Sequence, residues 1–116
     1  MSAISTTTPV EALRPHLAGP LAAAASLVAT AALVAAADAG HVSVTVAGSE
    51  INVQVPGYAG DEATRAATVG AYAHVLGTSM ARRRGSPHTW IETRGAIAGH
   101  PVHVWTIADP ANGQER

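Results

Sequence analysis

The stretch His88-Thr89-Trp90-Ile91-Glu92-Thr93-Arg94-Gly95-Ala96-Ile97-Ala98-Gly99-His100-Pro101-Val102-His103-Val104-Trp105-Thr106-Ile107 alternates in character on both sides of a centre of small residues. Period-two alternation marks a hairpin with one buried face. Thr89, Ile91, Thr93, Gly95 and Ile97 share one side, continued across the turn by Val102, Val104 and Thr106; this is the expected core. The other side carries His88, Trp90, Glu92 and Arg94 on one strand and His103 and Trp105 on its partner, with Ile107 beyond. Both tryptophans of the chain therefore share the polar face. Large aromatics on an open sheet face cost solubility, so a chain with no Phe and two Tyr that keeps them there points to a partner or ligand.

A second alternating region lies upstream. Val42, Val44 and Val46 point one way and His41, Ser43 and Thr45 the other; after Gly48-Ser49, Ile51, Val53 and Val55 alternate with Asn52 and Gln54. A two-residue turn at Gly48-Ser49 sets Val46 opposite Ile51, Val44 opposite Val53 and Val42 opposite Val55, so every apolar pair falls on one face. Val46-Ala47-Gly48-Ser49-Glu50-Ile51-Asn52-Val53 also aligns without gaps with Ile97-Ala98-Gly99-His100-Pro101-Val102-His103-Val104, at an offset of 51 residues. This suggests an internal repeat of one helix and one hairpin. The alignment places the second turn at Gly99-His100 and sets Arg94 opposite Trp105 for a cation–π contact. A turn at Ala98-Gly99 instead sets Glu92 there, with every face unchanged.

Helices are expected before each hairpin. Thr8-Pro9-Val10-Glu11 has the form of a capping box with Pro at the first helical position, and the helix it opens should break near Pro15 or Gly19-Pro20. A second stretch, Leu21 to Ala37, is rich in alanine and stops at Gly40. Leu17, Leu21, Leu27, Val28 and Val34 form its expected core stripe, with Ser26 and Thr30 on the far side. The helix after the first hairpin opens at Gly60-Asp61-Glu62, carries a stripe of Ala66, Val69, Ala73, Leu76 and Met80, and is capped at Gly77. Thr78 to Pro87, with Arg82-Arg83-Arg84, reads as a solvated linker.

The expected fold is thus one α+β domain over residues 1–116, with flexible tails at 1–8 and 109–116. It is a two-layer sandwich: a four-stranded, mainly antiparallel sheet with two helices on one face, in the order α-β-β-α-β-β. A chain of 116 residues supports one core. Its 26 alanines and seven arginines, with no lysine, are a bias of the kind a GC-rich genome gives. The absence of cysteine removes disulfide and thiolate chemistry. A net charge of −1 argues against general nucleic-acid binding. Leu21 to Ala37 is uncharged and Ala37-Asp38-Ala39 has the small-x-small form of a cleavage site. Arg14 is offset by Glu11, however, and alanine is weakly hydrophobic, so a cytoplasmic chain without membrane attachment is expected.

Three functions compete for the open face. The first is a non-enzymatic protein-interaction module, most simply a homodimer stacking sheet on sheet, with His88, Trp90, Glu92, Arg94, His103 and Trp105 as the partner-binding set. The second is single-stranded nucleic acid, with Trp90 and Trp105 as stacking platforms and Arg82, Arg83, Arg84 and Arg94 on phosphates. The third is a metal or acid–base site built from His41, His88, His103 and Glu92. His100-x-x-His103 sits at a turn, not on a helix where such spacing aligns ligands, and no hydrolase or phosphate-loop motif is present. The expectation is therefore no enzyme, no cofactor and no bound metal.

Overall fold

A computed structural model describes residues 9–110, with the side chains of the first helix described at Leu21 and from Ala24 onward. Helix α1 spans Pro9–Ala37. Strands β1 (Ser43–Ala47) and β2 (Glu50–Gln54) form the first hairpin, and a 3-10 turn at Gly57–Ala59 leads to helix α2 (Glu62–Leu76). Strands β3 (Ala81–Arg84), β4 (Thr89–Ile97) and β5 (His100–Ile107) follow. The expected tails fall, at 1–8 and from 111 on, outside the described residues, as does Thr8 of the capping box.

The α+β class holds, but the sheet is mixed and has five strands, in the order β1-β2-β5-β4-β3. Neighbours are antiparallel except β2 and β5, which run parallel at the centre with Ile51 beside Val102, Asn52 beside His103, Val53 beside Val104 and Gln54 beside Trp105. The 51-residue offset of the internal alignment is thus the register of this parallel pair. The fifth strand is the Arg82-Arg83-Arg84 segment, expected as a linker. Four residues without apolar alternation carry no strand pattern of their own, and their ladder comes from β4: Arg82 pairs with Ile91, Arg83 with Trp90 and Arg84 with Thr89.

The first hairpin turns at Gly48-Ser49 as expected, with Val46 opposite Ile51 and Val44 opposite Val53. The second turns at Ala98-Gly99, not Gly99-His100, since Ile97 pairs with His100 and Arg94 with His103. Both Ala98 and Gly99 have positive φ (50° and 81°), whereas the first turn has it at Gly48 (63°). The first fits a type II′ turn and the second a type I′ turn, so the two glycines occupy different turn positions. Aligning them shifts the register by one.

Both helices pack on one face of the sheet. Ile51, Val53, Val55, Ile91, Val102 and Val104 meet Ala29 and Leu33 of α1 and Val69 and Tyr72 of α2 in a single cluster. Helix α2 begins where expected: Asp61 caps it by accepting from the Thr64 amide at 2.8 Å, and Gly77 ends it at φ 70°. Its buried stripe is Arg65, Thr68, Val69, Tyr72 and Ala73, rotated from the expected one, with Met80 exposed beyond the helix end. Arg65 draws the stripe round. Its guanidinium donates to the Gly60 carbonyl at 3.0 Å, to Thr106 Oγ1 at 3.0 Å and to Asp109, tying the start of α2 to the end of β5.

Helix α1 departs most from its sequence reading. It runs unbroken through Pro15 and Gly19-Pro20. A proline removes one backbone donor and crowds one preceding carbonyl, and the long alanine-rich run behind it carries the helix on. Its polarity is also reversed, except at Val34, which packs half-buried against the core as expected. Ser26 and Thr30, expected outside, are 0% and 8% exposed, while Leu21, Leu27 and Val28, expected in the core, are 50%, 57% and 72% exposed. Leu17 lies outside the described side chains. The hairpin tips supply the physical reason. Ser26 Oγ donates to the Gly48 carbonyl at 2.7 Å and lies 3.2 Å from His100 Nδ1, which is itself 3.2 Å from the Ser49 carbonyl. Thr30 Oγ1 donates back to the Ser26 carbonyl at 2.7 Å. A buried hydroxyl needs a partner, and the hairpin tips, themselves exposed, supply one for Ser26, so the polar residues of α1 face inward.

Candidate functional site

The alternation of β4 and β5 assigns the faces as expected: Ile91, Thr93, Val102, Val104 and Thr106 are buried under the helices, and Trp90 and Trp105 lie half-buried on the opposite, open face. Of the six expected partner-binding residues, Trp90, Glu92 and Arg94 come from β4 and His103 and Trp105 from β5, while His88 sits just before β4. Pairing across the hairpin sets Glu92 opposite Trp105 and Arg94 opposite His103.

Glu92 is the hub. It is only 8% exposed although it lies on the open face. Its Oε1 is 2.7 Å from His103 Nε2 and 3.9 Å from the Arg94 guanidinium, and its Oε2 accepts from Arg83 Nε at 3.0 Å. Burial pushes the carboxyl up. The His103 and Arg83 hydrogen bonds, with the positive charge of Arg83 and that of a protonated His103, outweigh burial and hold it below its ordinary value. An ionised carboxylate only accepts, so the proton shared with His103 sits on Nε2.

The tryptophans are fixed around this hub. Arg83 lies 4.4 Å from the centre of the Trp90 ring, in the cation–π position that the sequence assigns to Arg94 and Trp105. A side chain on Gly85 would collide with the same ring, so the β3–β4 turn closes on Trp90 where it has no Cβ. His88 meets Trp90 edge-on, with ring centres 6.3 Å apart. Trp105 stacks beside His103 at the same separation and donates from Nε1 to Asn52 Oδ1 at 3.0 Å. The site thus runs from β3 to β2 in one layer of polar contacts. Arg83 and Asn52 are absent from the expected set. Asn52 carried a signal, because the 51-residue offset pairs it with His103, next but one to Trp105.

His41, His88 and His103 do not converge: among the described residues, no three His, Cys, Asp or Glu side chains are placed to hold a metal ion. Beside the open face, at the end of β5, a cleft of about 1210 Å³ is lined by Gln54, Glu62, Arg65, Arg84, His88 and Asp109, among others. Its charges are largely satisfied internally: Arg65 pairs with Asp109, and Arg82 with Glu62. Glu62 also accepts from the Asp109 amide, the leading cause of a carboxyl held below its ordinary value. No helix among the described residues is long and apolar enough to cross a membrane. Comparison with protein-family models, curated proteins and solved structures finds no match to this chain.

Proposed function

We propose that this chain is a non-enzymatic protein-interaction module that docks an acidic segment of a partner protein on its open sheet face, around Trp90, Arg94 and Trp105. The observation that carries the reading is the Glu92 hub. It uses the one carboxylate among the six residues to order the site, and leaves Arg94 with its side chain 61% exposed and held to Glu92 only at 3.9 Å. Two tryptophans locked by Arg83 and Asn52 lose little further entropy on binding, and Trp and Arg dominate interface energetics.

A second copy stacked on this face is a poorer fit around Arg94, because it brings Arg83 and Arg94 of each copy together while Glu92 is already engaged, and Glu50, the other carboxylate on this side, lies on β2, two strands from Arg94. Single-stranded nucleic acid draws support from Arg82, Arg83 and Arg84 lying on β3 next to Trp90. The Trp90 ring is already covered by Arg83, however, and two of those three arginines are ion-paired.

The test is selection of a displayed random-peptide library on the purified chain, with counter-selection on Arg94→Glu. Peptides rich in Asp or Glu that bind the wild type, weaken on Arg94→Glu and Trp105→Ala about tenfold or more, and weaken with salt support the reading. Peptides indifferent to both substitutions overturn it. Tight binding of a fluorescent single-stranded oligonucleotide, lost in the same variants, replaces it with the nucleic-acid reading.

A further inference from the structure

Between Leu21 and Ala36, every exposed side chain described on α1 is apolar: Leu21, Ala24, Ala25, Leu27, Val28, Ala31, Ala32, Ala35 and Ala36. This is more than a run of small residues, because the large Leu21, Leu27 and Val28 point out while Ser26 and Thr30 point in. The direction opposite the buried Ser26, Ala29, Thr30 and Leu33 is occupied by Leu21, Ala24, Val28, Ala31 and Ala35. Their 3-4-3-4 spacing is that of a helix seam packing on another helix.

We propose that this outward face of α1, together with the edge of β1 beside it, unpaired among the described residues, is a self-association surface on which a second copy of this chain docks, α1 against α1. The inference is independent of the open-face reading, and each stands if the other fails.

Charge selects the occupant. Leu21 to Ala37 holds no ionisable side chain, so two copies meet across a two-fold axis without like-charge repulsion, whereas the open face presents arginines to arginines. A helix lying in a membrane interface typically carries basic residues on its polar face, and this one has none over the same span. An antiparallel two-fold at Val28 sets Leu21 opposite Ala35, large against small, as a close helix–helix contact requires.

The edges of the sheet agree. At one edge, β3 presents three arginines, a charge pattern that blocks further strand pairing. At the other, β1 is Ser43-Val44-Thr45-Val46-Ala47, with no charge or proline, and Val44 is 36% exposed on the helix side. Area is sufficient. About 24 Å of helix some 10–12 Å across presents on the order of 500 Å² of apolar surface per copy, toward the upper end of the largest patch a typical monomer exposes, which is often functional. Two copies then bury roughly 1,000 Å², the floor for a biological interface, before β1 contributes.

Sedimentation equilibrium of the full chain tests the proposal. The wild type should run as a dimer, and Val28→Glu, at a site 72% exposed in one copy, should weaken association about 100-fold or more with unchanged circular dichroism and melting. Val28→Cys, in a chain without cysteine, should cross-link under mild oxidation, and Arg94→Glu should leave the mass unaltered. A wild type that stays monomeric at its highest soluble concentration overturns the proposal. So does a dimer that survives both Val28→Glu and Ala31→Glu, or one abolished by Arg94→Glu alone. Binding of a monomeric wild type to neutral phosphatidylcholine vesicles, lost in Val28→Glu, would assign the face to a lipid surface instead.

Discussion

The open sheet face and the outward face of α1 break the usual pattern in opposite ways. The sheet face buries a carboxylate, Glu92, among arginines, a histidine and two tryptophans. The helix face exposes leucine and valine while its serine and threonine are buried. In both places, polarity follows the nearest unsatisfied group rather than the inside or outside of the fold. Hairpin carbonyls hold Ser26 inward, and Arg83 of β3 and the His103 imidazole of β5 draw Glu92 down onto the sheet. The consequence is two exposed surfaces of different chemistry, one charged and ordered, the other apolar and self-compatible.

The inversion of α1 is the half of this comparison with the largest expected effect. Leu33 is fully buried and Leu27 is 57% exposed, although both are leucines of one helix. Leu33→Ala should cost about 2–5 kcal/mol. Leu27→Ala should stay within about 0.5 kcal/mol. Both are to be measured by urea unfolding in the Val28→Glu background, so that association does not enter. Equal effects would erase the distinction between the two sides of the helix. Next in size is Ser26→Ala, which removes the fully buried hydroxyl that donates to the Gly48 carbonyl and should cost about 1 kcal/mol. A neutral result would mean that the hairpin tips do not set the helix's orientation.

These same elements show what was legible in the sequence. The faces of β4 and β5 were, because strict alternation over eight or nine residues leaves one reading, and it placed Trp90, Glu92, Arg94, His103 and Trp105 together. The hairpin of β1 and β2 was legible for the same reason, with Gly48 fixing its turn. The α1 orientation was not. In a run of alanine, its two hydroxyl residues dominate the pattern, and pattern alone puts them outside; only the position of the hairpin tips reverses this. Strand β3 was hidden because Ala81-Arg82-Arg83-Arg84 owes its conformation to β4. Arg83 was therefore missed as the residue over Trp90, and Arg94 took its place in the sequence reading. The parallel pairing of β2 and β5 was present as the 51-residue offset, but similarity alone does not tell a repeated turn from a shared register.

On the sheet side, Arg83→Ala removes the ring contact with Trp90 and one hydrogen bond to Glu92. Arg83 is half exposed, so solvent screening limits the loss to about 1 kcal/mol. The sharper readout is the fluorescence of Trp90 in a Trp105→Phe background, which should red-shift as water reaches the ring. An unshifted spectrum would mean that Arg83 does not cover it. The same substitution should leave the mass of the α1-mediated dimer unchanged, which separates the two faces in one experiment.

The smallest effect concerns acid. Glu92 has an ordinary value of 4.5, and its folded carboxyl is held below this because hydrogen bonds from His103 and Arg83 outweigh the burial that raises it. A depressed carboxyl contributes stability that is fully present above the unfolded value and is lost as pH falls through the folded one. The wild type should therefore exceed Glu92→Gln by a margin under about 1 kcal/mol at about pH 5. The margin should then close as the pH drops further. Asp61 and Glu62 are also held low, by the Thr64 and Asp109 amides first of all, but both proteins retain them, so the difference isolates Glu92. A margin that stays flat through pH 3 would show that shape, not charge, holds the hub, and the open face would then share the helix's indifference to acid.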